Sequence, residues 1–94
     1  MQPEPIPTDL FVGQVMSEKL VRDITDGWRI EPDQLHNILS RHLREMGIFF
    51  VLPTHAKMLR DSLVHHLRHS VEIKQILRKA ELEEQTRKKV RLSD

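Results

Sequence analysis

The sequence contains no cysteine. That excludes disulfides, thiolate metal sites and a cysteine nucleophile, and it fits a reducing compartment. Aromatic residues are scarce, with three Phe, one Trp and no Tyr among 94 residues. The core therefore has to be built from Leu, Ile, Val and Met, and a single nucleic-acid strand would find few rings to stack on. No apolar run approaches the length needed to cross a bilayer. Pro3, Glu4, Pro5 and Pro7 stand where a secretion signal has a basic start and an apolar centre. A cytoplasmic protein without a membrane partner is expected.

Catalytic signatures are also missing. There is no glycine-rich anion-binding loop and no nucleophile elbow. Asp61, Ser62, His65 and His66 are close in sequence but lack any such framework. Asp9, Asp23, Asp26 and Asp33 do not have the alternate-residue spacing of a calcium loop. No enzyme activity, cofactor or small-molecule substrate is expected.

What the chain does have is punctuation. Ile48 to Leu52 is an unbroken apolar run between Gly47 and Pro53, and it carries Phe49 and Phe50. It is too short for a helix and too apolar for a solvated loop. Gly47 suits the left-handed residue that ends a helix, with Ile48 packing back on the last turn. Pro53 forbids helix at Leu52 and opens the next segment, with Thr54 as its cap. The run is expected to be a buried extended link between two helices. A sharper alternative is an edge strand that pairs with another chain.

The flanking segments read as helices. Thr8 is placed to cap a first helix, whose stripe of Phe11, Val12, Val15, Met16, Leu20, Val21 and Ile24 runs to Asp26-Gly27. Pro32 opens a second, in which Leu35, Ile38, Leu39, Leu43 and Met46 give the cleanest amphipathic pattern. From His55 to about Lys89 nothing breaks a helix. There Ala56, Leu59, Leu63, His66, Ser70, Ile73, Leu77 and Ala80 recur at alternating spacings of three and four, a heptad seam with a polar middle. The expected fold is all-α: three helices, the last one long, with the extended apolar link 48–52 between the second and third. An extended proline-rich arm covers 1–7, a single helical domain 8–82, and a charged, fraying tail 83–94.

Charge is unevenly laid out. Residues 1–34 hold three Lys or Arg against seven Asp or Glu, whereas 35–80 hold eight against three, together with all six histidines. An acidic first helix lying on a basic second and third accounts for this. So would an acidic partner. Arg41, Arg44, Arg60, Arg68, Arg78 and Lys79, with Arg87, Lys88 and Lys89 in the tail, are the residues that would meet phosphates. A strict helix-turn-helix needs a turn of about three or four residues, and the connectors 27–32 and 47–54 are longer.

His65 and His69, four apart on one helix face, have the spacing of a zinc or nickel pair, but two ligands do not make a site and no metal is expected. His66 lies in the seam, where a polar ring needs a partner, and Ser70 is one turn away. Trp28, just past a helix-ending Gly, is expected to pack on the helix it leaves, with an interface anchor as the alternative. The function expected from this pattern is a small non-enzymatic interaction or adaptor protein. It would self-associate or dock on a larger assembly through Leu59, Leu63, Leu67, Ile73 and Leu77, helped by Trp28, Phe49, Phe50 and His66. The competing expectation is a nucleic-acid-binding regulator that uses the basic residues.

Overall fold

The computed structural model describes residues 4–92, with side chains through Thr86. The fold is all-α apart from one pair of very short strands. In chain order the elements are β1 (Ile6–Pro7), α1 (Thr8–Ser17), α2 (Lys19–Thr25), α3 (Pro32–Glu45), β2 (Phe50–Val51), a 3-10 turn (Pro53–His55), α4 (Ala56–His69) and α5 (Val71–Leu92). The helix count is therefore five rather than three, because two expected helices are each broken at one residue.

The first break is at Glu18, which is extended at φ −67°, ψ 143°. The Ser17 hydroxyl donates to the Gln14 carbonyl at 2.7 Å, and the Glu18 N–H closes on the Val15 carbonyl at 3.1 Å. A serine that bonds its own preceding turn competes with helix continuation. The second break is at Ser70, again extended, at φ −68°, ψ 124°. Its N–H donates to the His66 carbonyl at 2.8 Å, which ends α4. Its hydroxyl accepts the Ile73 N–H at 3.3 Å, which caps α5. One residue thus ends a helix and starts the next, and the seam does not run straight through.

The glycine punctuation is well formed. Gly47 has φ 80°. Its N–H donates to the Arg44 carbonyl at 2.8 Å and the Ile48 N–H to the Leu43 carbonyl at 2.9 Å, the two bonds of a Schellman ending. Gly27, also at φ 80°, follows Asp26 at φ −59°, ψ 130°, and Trp28 N–H donates to the Thr25 carbonyl at 3.0 Å. That is a type II turn, whose third residue needs the left-handed region.

The N-terminal arm folds back on the apolar link. Ile6 pairs with Val51 and Pro7 with Phe50, antiparallel. The Thr8 N–H donates to the Phe49 carbonyl at 3.1 Å. Thr8 does not cap α1. Pro7 holds the N-cap position without a side-chain bond, and the Thr8 hydroxyl crosses to the Ile48 carbonyl at 3.1 Å. Thr54 likewise makes no cap, lying inside the 3-10 turn that precedes α4.

α1 packs chiefly on α3. The core takes Phe11, Val12 and Val15 from α1, Val21 from α2, Ile38, Leu39 and Leu43 from α3, Leu59, Leu63 and Leu67 from α4, Ile73 from α5 and Val51 from β2. Each fully buried Leu or Ile contributes about 1.5–3 kcal/mol. The apolar link is not buried as a unit. Val51 is fully covered and Ile48 partly, but Phe49, Phe50 and Leu52 face solvent. The helical aliphatics already fill this small core, and β2 presents only one of its residues to it.

Candidate interaction surface

Phe49 and Phe50 are 62% and 63% exposed. Met46 and Leu52, also exposed, extend the same stretch on either side. Pro7, Thr8, Asp9, Arg44, Phe49 and Phe50 line an open groove of about 440 Å³. Arg44 Nη2 reaches Asp9 Oδ1 at 2.9 Å across it, so its one cation and one anion neutralise each other.

The sheet register decides which edge is open. Thr8–Phe49 is a hydrogen-bonded position, so by antiparallel alternation Ile6–Val51 is another and Pro7–Phe50 is not. The backbone groups of Pro7 and Phe50 therefore point away from each other, outward from the two-stranded sheet. Pro7 has no N–H to offer on its edge. Phe50 presents both an N–H and a carbonyl on the other. The one edge able to accept a further strand on both counts is thus the edge that carries the exposed phenylalanines.

The other residues expected at an interface are placed differently. Leu59, Leu63, Leu67 and Ile73 are buried in this chain's own core. Leu77 and Trp28 are half-buried against that core and line an open groove with Gly27, Arg29, Glu81 and Glu84. Arg29 Nη2 meets Glu84 Oε1 there at 2.7 Å, tying the turn after α2 to the middle of α5. This tie is 55 residues long in sequence, and no local pattern announces it.

The His66 ring does not bond the Ser70 hydroxyl, which is taken by α5. It stacks instead on His42 of α3, with centroids 3.9 Å apart and an interplanar angle of 16°. Ile38, Arg41, Glu45 and Glu72 complete that niche. Arg41 is hydrogen-bonded to Glu72 of α5, which holds the guanidinium even more firmly protonated, and its Nε lies 3.8 Å from Glu45. Burial, followed by the neighbouring His42, pushes the His66 pKa below its ordinary 6.5. Nothing in the sequence pairs His42 with His66, although Ile38, His42 and Glu45 follow one helix face at i, i+4 and i+7.

His65 and His69 lie with ring centroids 4.4 Å apart on an exposed face of α4. Among the described residues no group of three or more His, Asp or Glu is arranged to hold a metal ion. Three of the basic candidates already have partners: Arg41 with Glu72, Arg44 with Asp9, and Arg60 with Glu18 at 3.6 Å and Asp61 at 3.5 Å. Arg68, Arg78 and Lys79 are exposed and form no ion pair among the described residues. Arg87, Lys88 and Lys89 lie on α5, and their side chains fall outside the described residues.

No described helix is long and apolar enough to cross a membrane. Comparison with protein-family models, with curated proteins and with solved structures gives no significant match to the chain.

Proposed function

We propose that the chain is a small non-enzymatic interaction module that docks a protein partner along β2, through Phe49, Phe50, Leu52 and Met46. The observation that carries this reading is the coincidence of two adjacent exposed Phe side chains with the sheet edge that offers both a donor and an acceptor. Exposed apolar patches on small proteins mark interaction sites, and an open edge supplies backbone hydrogen bonds to a strand laid against it. The partner is a second copy of the chain or a strand of a larger assembly. The Leu59, Leu63, Leu67 and Ile73 stripe stabilises the monomer in this reading and does not contact the partner. Cytoplasmic location is part of the proposal, argued from the cysteine-free composition.

The nucleic-acid alternative has less support. Arg41, Arg44 and Arg60 face carboxylates within the chain, which leaves Arg68, Arg78 and Lys79 as the described phosphate-contact candidates without one.

The test compares the protein with its Phe49→Ser/Phe50→Ser variant by analytical ultracentrifugation and by photo-crosslinking from position 52 in cells. The double variant is expected to keep its urea midpoint and to lose self-association or the crosslinked protein band. Association that survives the double substitution overturns the reading. A nucleic-acid band that fades steeply with salt and depends on Arg68 and Lys79 replaces it with the alternative.

A further inference from the structure

We propose that the His42–His66 stack is an acid-opened clasp that fixes the angle between α4 and α5. The inference concerns a different part of the molecule from the β2 edge and does not depend on it.

The stack stands at the corner where the two helices meet. The His66 carbonyl accepts the Ser70 N–H at 2.8 Å, and Ser70 is the single extended residue between α4 and α5. Glu72 lies in the first turn of α5 and is bound by Arg41 of α3. Three helices are therefore joined within one niche: α3 through Arg41, His42 and Glu45, α4 through His66, and α5 through Glu72. His65 and His69, on the same helix as His66, are exposed on its outer side.

The charges in the niche work in opposite directions. Glu72 and Glu45 draw a proton onto His66, while half-burial, the facing His42 and Arg41 resist it. The resisting group prevails, so the folded chain takes up this proton at lower pH than the unfolded chain does. The stability associated with the neutral ring is fully present above the ordinary value of 6.5, and it is lost as pH falls from there through the folded-state value. Once protonated, His66 has two ways to satisfy its charge. It can leave the stack for water, or it can draw Glu72 away from Arg41. The first move parts α4 from α3, and the second releases the first turn of α5 from α3. Either one frees the corner at Ser70 while leaving each helix intact.

The molecule carries its own reporter. Trp28, the sole tryptophan, lies in the groove with Leu77, Glu81 and Glu84 of α5. Its emission is expected to shift to the red in a single step as pH falls between about 8 and 5, the range in which histidine is the side chain that ordinarily titrates. Far-UV circular dichroism is expected to stay constant over the same range. His66→Phe keeps a ring in the stack without the titration and is expected to abolish the step, whereas His65→Asn and His69→Asn are expected to keep it. Should the Phe variant fail to fold, the proton-resolved titration of the His66 ring in the unmodified protein decides. A midpoint below 6.5 that coincides with the Trp28 step supports the clasp. A midpoint at or above 6.5, a step retained in His66→Phe, or no step in the unmodified protein overturns it.

Discussion

The Thr8 hydroxyl donates to the Ile48 carbonyl at 3.1 Å across 40 residues of sequence. Thr8 is almost fully buried, so this bond has no ready replacement by water. Thr8→Val keeps the shape and leaves the carbonyl unpartnered. It is expected to cost about 1–2 kcal/mol, read as a lower urea midpoint at unchanged slope, while Thr8→Ser is expected to recover most of the loss.

The glycines give opposite signs. Gly13 is an exposed residue inside α1 with open space where a Cβ would be. Gly13→Ala is expected to stabilise by about 0.5–1 kcal/mol. Gly47 also has open space around it, but it holds φ 80°, and Gly47→Ala is expected to destabilise by about 1–2 kcal/mol. Thermal melts of the two variants should move in opposite directions. The result separates backbone strain from crowding, since neither site is crowded.

The two serines at helix breaks are also distinguishable. Ser70 is buried and caps α5 through Ile73. Ser70→Ala is expected to cost about 1 kcal/mol. Ser17 is exposed and bonds only its own preceding turn, so Ser17→Ala is expected to stay within about 0.5 kcal/mol of the parent. Chemical denaturation measures both.

Leu63 is fully buried, whereas Leu82 is 57% exposed on α5. Leu63→Ala is expected to destabilise by about 2–5 kcal/mol, and Leu82→Ala by less than about 0.5 kcal/mol. Were α4 to use its apolar stripe on a partner instead, the isolated chain would tolerate the Leu63 change and only an assembly would weaken.

The features that could be read in advance are those with a local cause. Gly47 and Pro53 punctuate the chain because left-handed backbone and a missing N–H are properties of single residues, and both shape it as their chemistry requires. The α3 stripe is legible because Leu35, Ile38, Leu39 and Leu43 repeat at helix spacing and all four are buried. Neither Pro nor Gly marks the breaks at Glu18 and Ser70, so the sequence leaves a bend near Ser70 undecided and gives no sign of the first break. The Ser17 hydroxyl bonds back to its own preceding turn and the Ser70 hydroxyl bonds forward to Ile73, contacts that serine makes in some helices and not in others. The exposure of Phe49 and Phe50 escaped for a different reason. Hydropathy says that a residue gains from burial, but whether room remains depends on what the helices have already placed in the core. Thr8 bonding Ile48 and His42 stacking on His66 join residues far apart in sequence, and periodicity carries no information about such pairs.

The single-residue corner at Ser70 has a geometric consequence for α5. This helix is 22 residues long in a molecule whose extents are 67, 25 and 19 Å. At about 1.5 Å per residue it forms an arm of roughly 33 Å, so a swing of about 10° at its base carries the far end roughly 6 Å. A displacement the width of one side chain near His66 is thereby magnified at the other end of the arm. Whatever is attached to or seated near that end would feel the state of a few atoms at the corner, with mechanical leverage as the means of transmission.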